Sequence, residues 1–183
     1  MTTWKSFGHR GDVLEELIIF TNEQYRKRNL GRIDKVPTPV TVTKIDNQGR
    51  ITKAFFEKKG TVDFNGLIQG IGVYFDAKET EKKSLPLANI HKHQIDYMVD
   101  MDKQKGLAFI LAHFKYYNEY YLIPLEVLLH YYNNSLKGGR KSIPYKALNK
   151  DFLIFKSPNG VLDYLPVLNI YLKYKKNNKF INL

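Results

Sequence analysis

Two short stretches decide the reading of this chain: Thr61-Val62-Asp63-Phe64-Asn65-Gly66-Leu67-Ile68 and Val73-Tyr74-Phe75-Asp76-Ala77-Lys78. Each has the length and the β-branched or aromatic content of a strand, and Gly70 and Gly72 between them mark a turn or a close backbone approach. Folding one strand back on the other brings Asp63 beside Asp76, thirteen residues on. Residues 76 and 78 share a face, because side chains on a strand alternate with a period of two. The expected result is two carboxylates and one ammonium at a single point: Asp63, Asp76 and Lys78.

Such a group has a definite chemistry. Oxygen ligands suit Mg²⁺, which keeps several waters and takes one or two carboxylates plus a substrate phosphate. The metal would polarise a scissile phosphate and supply an activated water in line with it. Lys78 would stabilise the charge that develops on the phosphorus oxygens. The competing reading is a surface Asp–Lys ion pair, which is common and contributes little. The apolar run around Asp76-Ala77-Lys78 favours the buried cluster.

Outward from these strands, Asp12 to Arg28 reads as a helix, with Leu14, Leu17, Ile18 and Tyr25 at helical spacing and Gly31 as its stop. Its end leaves Arg26, Lys27, Arg28, Arg32 and Lys35 clustered in what reads as a loop before Pro37 and Pro39. Val40 to Ile45 and Ile51 to Phe56, joined by Asn47-Gln48-Gly49, form a β-hairpin studded with Lys44, Arg50, Lys53, Lys58 and Lys59. A polar loop at 80–84 leads to Pro86. His91 to Gln104 reads as a helix with Ile95, Met98 and Met101 on one face. Leu107 to Phe114 has the length of a buried strand, and a return strand follows Asn118 at Tyr120 to Ile123. Pro124 suits the first position of a helix reaching about Asn133. Gly138-Gly139-Arg140-Lys141-Ser142 reads as irregular, and the remainder as short helical pieces with a basic tail. This order places the chain in the α/β class, with a mixed central sheet flanked by helices.

The 183 residues, 43% of them hydrophobic, suffice for one domain with one core. With no cysteine, disulfides and thiolate metal sites are excluded, in keeping with a cytoplasmic protein. The amino terminus lacks a secretory signal, and the longest apolar run, Leu107 to Ala112, is too short to span a bilayer. Lys plus Arg number 29 against 18 Asp plus Glu, a net charge of +11 that points to a polyanionic partner, most commonly nucleic acid. There is no phosphate-loop or Gly-x-Gly-x-x-Gly pattern, so no nucleotide cofactor is expected. His91 and His93, two apart, should point away from each other on a helix, which suits a cap or a DNA contact better than zinc. Glu79, on the opposite strand face from Asp76, reads as structural. Gly138-Gly139-Arg140-Lys141 either cradles a phosphate or is a solvated loop.

Asp63 followed by Asp76-x-Lys78 resembles the PD-(D/E)xK nuclease superfamily, and the surrounding words narrow it. His9-Arg10-Gly11, Leu14-Glu15, Pro37-Thr38-Pro39-Val40, Asp63-Phe64-Asn65-Gly66, Asp76-Ala77-Lys78-Glu79-Thr80, His93-Gln94-Ile95 and Gly138-Gly139-Arg140-Lys141-Ser142-Ile143-Pro144 stand in the order seen in RecU-type Holliday-junction resolvases. The resemblance runs from about residue 8 to the carboxyl end. It implies a restriction-endonuclease-like core in a single nuclease domain over 1–183, with a protruding hairpin stalk at about 44–59. It also implies a homodimer that binds branched DNA at four-way junctions and nicks two strands symmetrically with Mg²⁺ or Mn²⁺, in recombination and repair, with a recombinase as a possible partner.

Residue by residue, the resemblance puts Thr61, Asp63, Asp76 and Gln94 around the metal, Lys78 in the stabilising role, and Glu15 in position to hold a water at the metal. Phe56 sits where the family has an aromatic near the junction. DNA contacts are expected from Arg10, Arg26, Arg28, Arg32, Lys35, Lys53, Lys58, Arg140 and Lys141. The chain departs from the family in having Asp76 where Glu is usual, and Tyr74 where an acid is usual. Two further readings follow from Tyr74 and from the breadth of the superfamily: a junction-binding or remodelling protein with little catalysis, or a related nuclease with another DNA target.

Overall fold

A computed structural model describes residues 13–56 and 61–177. In chain order these form α1 (Val13–Lys27), β1 (Arg32–Lys35), β2 (Val40–Ile45), β3 (Ile51–Phe56), β4 (Phe64–Ile68), β5 (Ile71–Thr80), β6 (Ser84–Pro86), α2 (Lys92–Lys103), β7 (Leu107–Phe114), β8 (Glu119–Pro124), α3 (Leu125–Leu136), β9 (Ser142–Pro144), β10 (Leu153–Ile154) and α4 (Leu165–Lys176). The central sheet runs β1-β4-β5-β7-β8-β10. Only β5 and β7 are parallel; every other neighbouring pair is antiparallel. This is the mixed, helix-flanked sheet expected from the sequence.

The turn that sets the register is Gln69-Gly70. Ile68 pairs with Ile71, so these two residues make the whole connection. Both have positive φ, 47° and 86°. That is the tight turn whose twist matches a hairpin, and it needs Gly at one position at least. From it, pairing carries back through Gly66↔Val73 to Phe64↔Phe75. The parallel step from β5 to β7 needs a crossover, which β6 and α2 supply. Gln94 fixes where α2 begins, its Oε1 accepting from the His91 N–H at 3.0 Å in a capping box. Every residue of β7 is buried, so it reads as an unbroken apolar run rather than an alternating one.

The two faces of β5 carry different layers. On one, Phe75 stacks between Phe64 and Phe109 at 5.1 and 4.6 Å, and Tyr164 meets Phe75 and Tyr25 of α1 edge-on. On the other, Tyr74 meets Tyr97 of α2 edge-on at 6.1 Å. The hairpin β2–β3 is a separate two-stranded sheet in which every residue but Thr41 is exposed. Asp46 closes its tip, accepting from the N–H groups of Gln48 and Arg50 at 2.9 Å each.

Several local expectations are corrected. Arg32 and Lys35 lie on the edge strand β1, not in a loop; with only Ile33 of its four residues buried, that strand has almost no apolar signature. Ser142 belongs to β9, which pairs with β6, so only residues before it are irregular. Pro124 closes β8 and caps α3, which starts at Leu125 and runs to Leu136. The carboxyl-terminal part holds two of the expected short helical pieces, Tyr145–Ala147 and Lys150–Phe152, and adds a strand, β10, and a helix of 12 residues, α4. His91 and His93 do not point apart: their rings stack 5.4 Å apart at 9°, because His91 is the cap outside the helix.

Candidate active site

Asp63 directly precedes β4, and the Phe64↔Phe75 register sets it opposite Asp76. The two residues are laced together through the backbone. The N–H of Asp63 donates to Asp76 Oδ1 at 2.9 Å, and the N–H of Ala77 donates to Asp63 Oδ2 at 3.0 Å. Lys78 Nζ lies 3.6 Å from Asp63 Oδ2 and 3.4 Å from Asp76 Oδ2. The three residues named from the spacing therefore converge.

Burial makes this cluster different from a surface ion pair. Asp76 is 0% exposed, and its Oδ2 has no hydrogen-bond partner among the described residues. Loss of solvent pushes the Asp76 carboxyl up to about 7; Lys78 pulls against this, and the charge of Asp63 adds to it. With both acids ionised, two carboxylates face one ammonium, and a buried oxygen atom is left without a donor. A divalent cation would supply the missing positive charge and use that oxygen, so the donor set fits Mg²⁺ or Mn²⁺. No group of three or more His, Asp or Glu residues is placed to hold a metal among the described residues. Tyr74 shares a face with Asp76, and its ring fills the space beside Gly106: a Cβ there would come within 2.7 Å of Tyr74 Cε2.

The other named residues are placed as follows. Glu15, in the first turn of α1, pairs with Lys35 of β1. Lys35 stands opposite Phe64, and the N–H of the next residue, Val36, donates to the Asp63 carbonyl at 2.8 Å; the backbone there runs one residue from Asp63, with Lys35 on the face of Phe64 and Phe75 and not on that of Asp76. Gln94 is buried, with its side-chain oxygen already engaged in capping α2. Thr61 is exposed two residues before Asp63. Arg26 and Arg32 pair with Glu23 and Asp34, and these four with Lys35 line a cleft of about 510 Å³ between α1 and β1. Arg28, Lys53 and Phe56 are exposed, the last two on the hairpin. Arg140 and Lys141 are exposed after the Gly138-Gly139 turn; the Lys141 carbonyl, accepting from the Leu87 N–H at 3.1 Å, ties them toward the start of α2. Arg10 and Lys58 lie outside the described residues.

Sequence reading missed a polar group on β5 and β7. Glu79 does lie on the face opposite Asp76, but there it pairs with His113 Nδ1 at 3.0 Å and with Lys115 Nζ at 2.8 Å. His113 stacks on Tyr120 at 4.2 Å. A single His inside the apolar run of β7 was the available signal.

Comparison with known proteins agrees with this geometry. The family model described as Recombination protein U matches residues 9–170. The chain belongs to the RecU family. Among RecU relatives, the Holliday junction resolvase RecU of Oceanobacillus iheyensis is 40% identical over 171 residues, covering 90% of this chain and 87% of that protein. The Holliday junction resolvase RecU of Oenococcus oeni is 37% identical over 168 residues, covering 88% and 85%. That of Lactococcus lactis subsp. lactis is 39% identical over 173 residues, covering 92% and 79%.

Proposed function

We propose that this RecU-family chain is a metal-dependent endonuclease that binds four-way DNA junctions and resolves them by symmetric nicking, in recombination and repair. The observation that carries the reading is the convergence of Asp63, Asp76 and Lys78 in a largely buried, cation-deficient cluster. Asp63 and Asp76 would hold Mg²⁺, or Mn²⁺, which when bound supplies Lewis-acid polarisation of the phosphate and an activated water. Lys78 would present its charge to the non-bridging oxygens as they gain charge. Glu15, paired with Lys35, would hold a water at the metal, the role the family resemblance gives it.

Symmetric cleavage of two strands calls for two such sites, hence a homodimer, with the exposed hairpin as the stalk that enters the open junction centre. Charge of +11 supports phosphate binding as the main source of affinity. No helix among the described residues is long and apolar enough to cross a membrane. The expected setting is the cytoplasm, beside the chromosome and a recombinase.

Tyr74 supports a second reading, junction binding or remodelling with little catalysis. A labelled four-way junction incubated with parent and Asp76→Asn protein, with and without Mg²⁺ or Mn²⁺, decides between them. Metal-dependent paired nicks from the parent alone support the resolvase. Binding without nicks under every metal supports the second reading.

A further inference from the structure

Beyond Lys78, the same sheet face leads to an aromatic stack that the proposed reaction does not use. Lys78 stands opposite Ala112 on β7, and Ala112 opposite Tyr121 on β8. At about 4.8 Å per strand, Tyr121 is roughly 10 Å from Lys78 across the sheet. Tyr121 and Phe114 both meet Tyr145 edge-on, with centroids 5.7 Å apart in each case. Tyr145 is fixed at both ends: its hydroxyl donates to Glu119 at 2.8 Å and its N–H to the Lys83 carbonyl at 3.2 Å. Tyr117 stacks on Tyr145 at 3.7 Å, and Tyr116 meets Tyr117 edge-on at 4.9 Å. The outermost ring, Tyr116, is 59% exposed, with Lys83 Nζ 4.5 Å from its centroid.

A tyrosine in a surface turn ordinarily gains nothing from such support. This one stands on rings that end in the core, so a planar ligand meeting it orders little that is not ordered already. Its surroundings say which planar ligand. Lys83 is exposed beside it and Lys82, the residue before, is exposed too, while the neighbouring acids Glu79 and Glu81 are both paired with Lys115. Exposed π-surface with uncompensated lysines matches a nucleobase and its phosphate better than an apolar peptide.

We propose that Tyr116 and Lys83 form a base-stacking post for an unpaired nucleobase on the DNA flanking the scissile phosphate. The foot of the post is roughly 10 Å from Lys78, and the rings step outward from it by 5.7, 3.7 and 4.9 Å, so Tyr116 meets the strand within about seven nucleotide rises of Lys78, taking about 3.4 Å per nucleotide. The inference rests on reading Asp63, Asp76 and Lys78 as the cleavage site, which gives the post its place on the DNA.

The test uses four-way junctions carrying 2-aminopurine at successive positions on each side of the branch point, bound in chelator so that no cleavage occurs. Stacking should change the fluorescence at one or two positions. Tyr116→Ala should abolish that change and weaken single-stranded oligonucleotide binding roughly tenfold, within the range for loss of one base–aromatic stack. Tyr116→Trp should restore both, which a loss of fold would not permit. The post is overturned if Tyr116→Ala leaves the fluorescence at every position as in the parent, or if the parent itself changes none. A Tyr116-dependent signal in a parent that nicks no junction under any metal would sustain the post and sink the cleavage reading. Nicking with no such signal would do the reverse.

Discussion

Asp76→Asn removes one buried charge while keeping the size and shape of the side chain. In the parent, burial lifts the Asp76 carboxyl from the usual 3.8 to about 7, because lost hydration outweighs Lys78 at 3.4 Å. An acid with a folded value above its unfolded value binds its proton more tightly when folded. Its contribution to stability is therefore fully present below about pH 4 and is lost as pH rises through about 7. About three units at roughly 1.4 kcal/mol each set a ceiling of about 4 kcal/mol at pH 8. Asn retains the acceptor for the Asp63 N–H, but its new N–H₂ needs an acceptor and Lys78 is left with Asp63 alone. The net gain should be about 2 kcal/mol, a Tm rise of about 4–8 °C for a chain of this size. Calorimetry in chelator at pH 8 reads this directly, and the difference should nearly vanish at pH 5. Mg²⁺ should raise the Tm of the parent and leave the variant unmoved. A variant less stable than the parent at pH 8 without metal would refute the account of Asp76 as a costly buried charge.

Lys78→Ala should abolish nicking and weaken junction binding only slightly, as read by gel assays with and without metal, since it removes an attractive charge but no metal ligand. Junction affinity should fall about a thousandfold between about 50 and 200 mM salt; a shallow dependence would contradict phosphate-dominated binding. Deleting Gln48 to Lys53 should reduce preference for junctions over linear duplex more than it reduces duplex binding, measured by competition. Gly106→Ala should cost about 2 kcal/mol in denaturant melts, because the added methyl meets Tyr74 Cε2 at 2.7 Å and the Met101 carbonyl at 3.0 Å.

Most of what positions the site was legible in the sequence, because it depends on local signals. Gly70 supplies the left-handed turn residue, side chains along any strand point alternately to its two faces, and Asp76 is conspicuous among apolar neighbours. From those three facts the pairing of Asp63 with Asp76 follows. β1 and β10 were not legible. The first has one buried side chain among four residues and the second has two residues in all, so both are strands only through the partners that reach them. Glu15 and Gln94 owe their proposed roles to family resemblance. An amphipathic helix carries such a Glu routinely, and Gln94 sits three residues after His91, where a helix cap explains it fully. The aromatic post was illegible for another reason. Neither strand alternation nor helical spacing links its rings along the chain. Tyr116, Tyr117, Tyr121 and Tyr145 come together only after β8 folds back and β9 delivers residue 145.

The reciprocal bonds between the two aspartates have a consequence for observation. The amide protons of Asp63 and Ala77 point at carboxylate oxygens. Their chemical shifts thus depend on whether each carboxylate is protonated, bare or sharing its electrons with a cation. Two main-chain nuclei become native gauges of the site, readable by isotope labelling with no probe attached. Their hydrogen-exchange rates would report how often the lacing opens in the absence of any DNA.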